Sequence, residues 1–148
     1  MQVIKFLHLI CGTTLLGITI ASFFYISNSI KKKNPELIRY ALRASFFGDG
    51  IFLICLSIQL ITSNLLTGLL NFSMAIPWIF VAYHAFGLLI ILWIINFIIK
   101  YFYLSKLSNF SASLKSFYVI NIFMITVFII IIHDAVMQNT WFNFLFKG

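Results

Sequence analysis

Acidic residues are nearly missing from this chain of 148 residues: three Asp and Glu stand against ten Lys and Arg, for a formal net charge of +7. Charged residues amount to only 9% of the sequence, far below the roughly 25% typical of soluble domains. From Gly50 to Ile99 no charge of either sign occurs in fifty consecutive residues. A soluble fold of this length has no core large enough to hide such a run. No HxxxH, HExxH or CxxC spacing is present, which leaves out the common linear zinc and redox motifs. Catalytic triads and phosphate loops are likewise missing, and Gly48-Asp49-Gly50 lacks the GxGxxG spacing of a dinucleotide site. Cys11 and Cys55 give no disulfide framework; both lie in apolar stretches, where Cys acts as a small apolar side chain. No internal repeat of 20 to 50 residues is visible.

What is there is apolar: the hydrophobic fraction is 62% and the mean hydropathy is +1.07. A bilayer core of about 30 Å requires roughly 20 apolar residues per helix, so the chain reads as an integral membrane protein with lipid as its solvent. Phe6 to Ile30 and Ser116 to His133 are uncharged runs of one span each. The fifty-residue run holds two more, divided by Thr62-Ser63-Asn64, Thr67-Gly68, Asn71, Ser73 and Pro77, residue types that favour turns. The pattern predicts four helices over about 3–29, 41–63, 77–104 and 114–138, forming one all-α four-helix membrane domain over 1–148. The first span is too long for a signal-peptide core and carries no small-x-small cleavage site, so it is expected to remain in the mature chain.

Seven of the ten cations lie in two patches, Lys31 to Arg43 and Lys100 to Lys106. Such clusters beside spans orient helices and meet lipid headgroups, so the positive charge does not point to nucleic acid. Loops one and three carry the cations and loop two carries none, which predicts an antiparallel bundle with both basic loops in the cytoplasm and both termini outside. The apolar second loop, Leu65 to Ile76, and the tail from Trp141 to Phe146 are expected at the outer interface. Thr13, Gly17 and Ala21 have small-xxx-small spacing and predict that the first helix packs centrally or against a partner.

Ionisable groups inside a span are costly, at least about 2.5 kcal/mol for Asp on insertion scales, so each calls for a reason. At about 1.5 Å per residue, His8, His84 and His133 fall in one layer near the outer face. Histidines from facing helices can clamp a haem, and Met137, one turn after His133, adds a soft donor suited to copper or haem. Cross-helix hydrogen bonding is the alternative role for each. Asp49, Asn96 and Asn121 form a second layer at cytoplasmic depth, with Lys100 as counter-ion; it serves either as a proton relay or as a clasp fixing helix rotation. Asp134 lies near the outer interface, hydrated or orienting a histidine of another helix.

Lys5-Phe6-Leu7-His8, Asp49, Gln59 followed by Thr67-Gly68, and Pro77-Trp78 resemble the bacterial integral membrane family called domain of unknown function 2269. The resemblance implies a multi-pass protein of the bacterial inner membrane and no assigned activity. The Lys-x-x-His of the first span is also similar to the HemJ-type four-helix protoporphyrinogen oxidase, which implies that His8 is a haem b ligand. That family has Lys four residues after the Trp opening its third span, where this chain has Ala82, a departure that speaks against the oxidase reaction. His133 and Met137 alone suggest the copper-resistance type of membrane domain. Three functional readings follow, in this order: a membrane protein holding haem b or a soft metal through the histidine layer; a cofactor-free subunit that binds a membrane partner or a second copy of itself; and, ranked last because of Ala82, the porphyrinogen oxidase that the HemJ resemblance implies.

Overall fold

The computed structural model describes residues 1–73, 75–105, 113–138 and 140, with the side chains of 113–115 left aside. The tail from Trp141 to Phe146 and the loop around Lys106 lie outside the described residues. Four helices follow in order: α1 (Gln2–Lys31), α2 (Pro35–Leu69), α3 (Pro77–Ser105) and α4 (Ser113–Met137). All four are long and apolar enough to cross a membrane, and no strand occurs among the described residues.

The helix ends follow local chemistry. α1 stops at Lys31, and the chain reverses through Lys33, whose φ of 51° lies in the left-handed region. Asn34 then caps α2, its side chain accepting from the Glu36 and Leu37 amides at 3.0 and 3.3 Å, with Pro35 in the first turn where its missing N–H costs nothing. This cap starts α2 six residues before the expected 41. α2 also runs six residues past 63, because its polar residues bond back along the helix instead of breaking it. Thr62 donates to the Ile58 carbonyl and Ser63 to the Gln59 carbonyl, both at 2.8 Å. The helix ends in a Schellman arrangement: Asn71 is left-handed at φ 51°, its amide bonds the Gly68 carbonyl, and the Phe72 amide bonds that of Thr67. At 35 residues α2 is about 52 Å long, so it must tilt or project beyond the hydrocarbon layer.

α1 packs along α2 and α3 along α4, while α4 returns to α1 and α2 touches α3. Contacts between α1 and α2 run in opposite order along the two helices: His8 meets Thr62, Ile18 lies against Gly48, and Tyr25 faces Tyr40. The core has two parts. Leu15, Phe52, Leu56, Leu89, Met124 and Phe128 draw on all four helices, with Phe52 stacked on Trp93 at 5.4 Å between ring centroids. Ile26, Leu42, Tyr103 and Phe117 form a second cluster toward the basic loop that joins α1 to α2. Large apolar side chains such as Phe47 (77% exposed), Val3 and Phe6 point outward, as lipid solvation permits.

One packing expectation is corrected. α1 buries Cys11, Leu15, Thr19 and Ile26, whereas Thr13, Gly17 and Ala21 are exposed and a Cβ added at Gly17 would meet nothing within 4 Å. The small-residue stripe faces away from the bundle because the larger side chains of the opposite face fill the inter-helix space. The close approaches are at Gly48, where a Cβ would lie 3.3 Å from the Ile18 side chain, and at Gly12, where it would lie 3.4 Å from the Gln59 amide nitrogen.

Candidate functional site

Two polar assemblies interrupt the apolar interior. Asp49 on α2 and Lys100 on α3 form a buried ion pair, with Nζ 2.5 Å from Oδ2 and side-chain exposures of 8% and 1%. The other carboxylate oxygen accepts from the Trp93 indole at 3.2 Å, and the Lys100 ammonium lies 5.8 Å from the centre of the Phe46 ring. Beside this pair, Asn96 and Asn121 exchange two amide hydrogen bonds at 3.3 and 3.2 Å, and Asn121 also donates to the Phe117 carbonyl of its own helix at 2.8 Å. The assembly therefore joins α2 to α3 by charge and α3 to α4 by paired amides. Asp49, Lys100, Asn96 and Asn121 come together, and Trp93 and Phe46 are partners that sequence reasoning missed. Trp93 was accessible in principle, being one turn from Asn96 and two from Lys100 on the face that buries Leu89 and Leu92.

The second assembly lines a cavity of about 310 Å³ between the first turns of α1, the last turns of α2, the start of α3 and the end of α4. Its polar wall is built around His8. The Thr62 hydroxyl lies 3.0 Å from His8 Nδ1 and 2.8 Å from the Ile58 carbonyl of its own helix. The Gln59 amide nitrogen lies 3.0 Å from His8 Nε2. The Gln59 Oε1 atom is buried and has no hydrogen-bond partner among the described residues. Across the cavity the Tyr83 hydroxyl donates to Asn64 Oδ1 at 3.0 Å and lies 3.3 Å from Thr67 Oγ1. Lys5 lies at the rim, and Leu66, Ile79, Phe86 and Ile131 supply apolar wall. Gln59, Thr62, Ser63 and Leu66 share one face of α2 at i, i+3, i+4 and i+7, the signal by which a sequence reader can group them.

The histidine layer is corrected in its geometry: the three residues are not gathered into one site. His8 lines the cavity, and His84 and His133 do not. On α3 the cavity residues Ile79, Ala82, Tyr83 and Phe86 follow the i, i+3, i+4, i+7 rule, which rotates His84 to nearly the opposite face. It is exposed, its Nδ1 2.8 Å from the Phe80 carbonyl and its ring 4.1 Å from that of Phe80. On α4, Ile131, Ala135 and Gln138 face the cavity, and His133 is turned away from them. His133 Nδ1 pairs with Asp134 Oδ1 at 3.0 Å, so Asp134, fully buried, orients its own neighbour rather than a histidine of another helix. Met137 is 63% exposed. No group of three or more His, Cys, Asp or Glu able to hold a metal ion occurs among the described residues.

A bundle of four helices apolar enough to cross a membrane agrees with a family description. The model for the predicted integral membrane protein family DUF2269 covers residues 2–133. The chain belongs to the DUF2269 family. That match takes in all of α1, α2 and α3 and most of α4, including both polar assemblies. No curated protein and no solved structure matches this DUF2269 protein.

Proposed function

We propose that this DUF2269 protein uses the cavity beside His8 to bind the polar end of an amphiphilic molecule taken from the bilayer, in the outer half of the bacterial cytoplasmic membrane. The observation that carries this reading is the cavity itself. Its roughly 310 Å³ fits the range of about 300–1,000 Å³ typical of ligand sites, and a few convergent polar groups stand in a mostly apolar wall, as such sites require. The outward placement is supported by the Lys and Arg that cluster about the α1–α2 and α3–α4 junctions, against none between α2 and α3. Native mass spectrometry of the protein extracted in mild detergent tests the reading. A small amphiphile should stay bound to the wild type and be lost from Ala82→Trp, which fills the cavity. Equal retention by both proteins would refute it.

Haem b is the second reading, favoured by one feature. The Thr62 hydroxyl, 3.0 Å from Nδ1, steadies the His8 ring as outer hydrogen-bond partners steady metal-bound imidazoles, and leaves Nε2 as the atom that would meet iron. His8 would then hold the haem iron, with the Gln59 amide withdrawn from Nε2, and haem would supply redox chemistry there. The donor set fits one-histidine ligation and not a clamp by two of the three histidines. A Soret band that His8→Ala abolishes, and that His84→Ala and His133→Ala retain, would establish it; a wild type from haem-replete cells without that band would remove it.

A further inference from the structure

We infer that Cys11 and Cys55 form an intramembrane dithiol, which a quinone dissolved in the bilayer oxidises to a disulfide that staples α1 to α2. Nothing in their sequence spacing pairs them; the antiparallel packing does. α1 and α2 run past each other with His8 at Gln59 and Thr62, and with Ile18 against Gly48 further in. Cys11 stands one turn from His8 and Cys55 one turn from Gln59, each toward the middle of the bundle. The two thiols lie within hydrogen-bonding contact of each other across this interface. The backbones are close here: a Cβ added at Gly12, next to Cys11, would lie 3.4 Å from the Gln59 amide nitrogen, and one at Gly48, two turns from Cys55, would lie 3.3 Å from the Ile18 side chain. Close backbones are what a disulfide requires, since it holds its two Cα atoms within about 7 Å. The pair lies outside the cavity lining, so its chemistry does not depend on what fills that cavity.

Burial selects the reaction and the reagent. Cys11 lies about 14 Å along α1 from the start of the helix, and at 4% exposure it is shut off from reagents in water. Cys55 is half-buried and does not line the cavity, so at this depth its open side meets lipid. Holding a soft cation would require thiolates, and two of them around a monovalent ion leave a net negative charge where ions are costly. No third His, Cys, Asp or Glu joins them in a metal-holding group among the described residues. A disulfide is neutral and apolar and leaves no charge behind. The Cys55 sulfur adds to the quinone, its proton passing to a quinone oxygen. The Cys11 sulfur then attacks Cys55, which forms the S–S bond and releases the quinol with the second proton. Both sulfurs are oxidised, and the quinone takes the two electrons.

The whole chain in lipid nanodiscs, reduced and then freed of reductant, tests this on treatment with decylubiquinone, followed by denaturation in N-ethylmaleimide and intact mass measurement. Untreated protein should take two maleimides, one for each Cys. After the quinone most chains should take none, weigh two hydrogens less and remain monomeric on a non-reducing gel. Oxidised glutathione in the buffer should leave both thiols free, and closure by it would overturn the lipid-phase route. Cys11→Ala and Cys55→Ala should each still take one maleimide after the quinone. Two maleimides on the quinone-treated wild type would overturn the quinone reaction. If membrane-permeant copper-phenanthroline also fails to close the bond in that wild type, the facing dithiol is overturned with it. Disulfide-linked dimers in place of the internal bond would overturn the pairing as well.

Discussion

Replacing Asp49 by Leu should be among the most damaging single changes in this protein, for reasons that can be worked from its surroundings. Lys100 is 1% exposed, so loss of the carboxylate strands an ammonium in an apolar interior, and breaking a buried pair in this way costs about 3–5 kcal/mol. Trp93 loses its acceptor as well, which adds about 1 kcal/mol. α2 and α3 touch over a narrower face than α1 and α2, so little other packing offsets the loss. On the scale of soluble domains of this size the sum lowers the melting midpoint by roughly 8–24 °C. Asp49→Asn keeps an acceptor oxygen for one of the two donors and loses the charge, and should fall between wild type and Asp49→Leu. Lys100→Met alone strands the carboxylate and should also be severe. The double variant Asp49→Leu/Lys100→Met removes both charges and should lie close to wild type or above it, since apolar replacements of buried pairs are often neutral or stabilising. Thermal unfolding in detergent gives the four corners of a cycle, and the coupling should be at least about 2 kcal/mol. Single variants whose losses simply add in the double variant would refute the ion pair as a clasp. A proton relay would instead leave the singles stable and impair transport or activity.

Three shorter expectations follow from other parts of the bundle. In a background lacking Cys11 and Cys55, Ser73→Cys should react with an impermeant thiol reagent in intact cells while Lys33→Cys reacts only after permeabilisation; the opposite pattern would reverse the orientation. Asn96→Leu leaves Asn121 without its cross-helix partner and should cost about 1–3 kcal/mol, whereas Asn96→Leu/Asn121→Leu should recover most of that in the same melting assay, and a double variant worse than the sum of its singles would reject the paired-amide description. Gly17→Leu extends into open space and should leave the melting midpoint of the detergent-solubilised monomer unchanged, while a fall in oligomer mass by light scattering would identify the Thr13, Gly17 and Ala21 face as the contact between copies.

The membrane class and the number of spans were legible because they depend on composition and on a fixed rise per residue. Fifty uncharged residues need lipid whatever their neighbours are, and counting at 1.5 Å per residue is enough to put Asp49 level with Asn96 and Asn121. Helix ends were less legible. The capping signal in Asn34-Pro35-Glu36 was passed over by the expected start at 41, and Thr62, Ser63 and Thr67 read as breakers until the structure showed their hydroxyls turned back on the helix. Rotation was not legible at all where every face of a helix is apolar, since a hydrophobic stripe that would mark the inward side does not exist in lipid. That is why three histidines at one depth do not make one site, and why Gly17 faces out while Gly12 meets Gln59. Sequence alone determined that this chain lies in a membrane as four helices; only the tertiary structure decided which way their polar groups point, because in a bilayer the inward face is set by side-chain packing between helices and not by contrast with water.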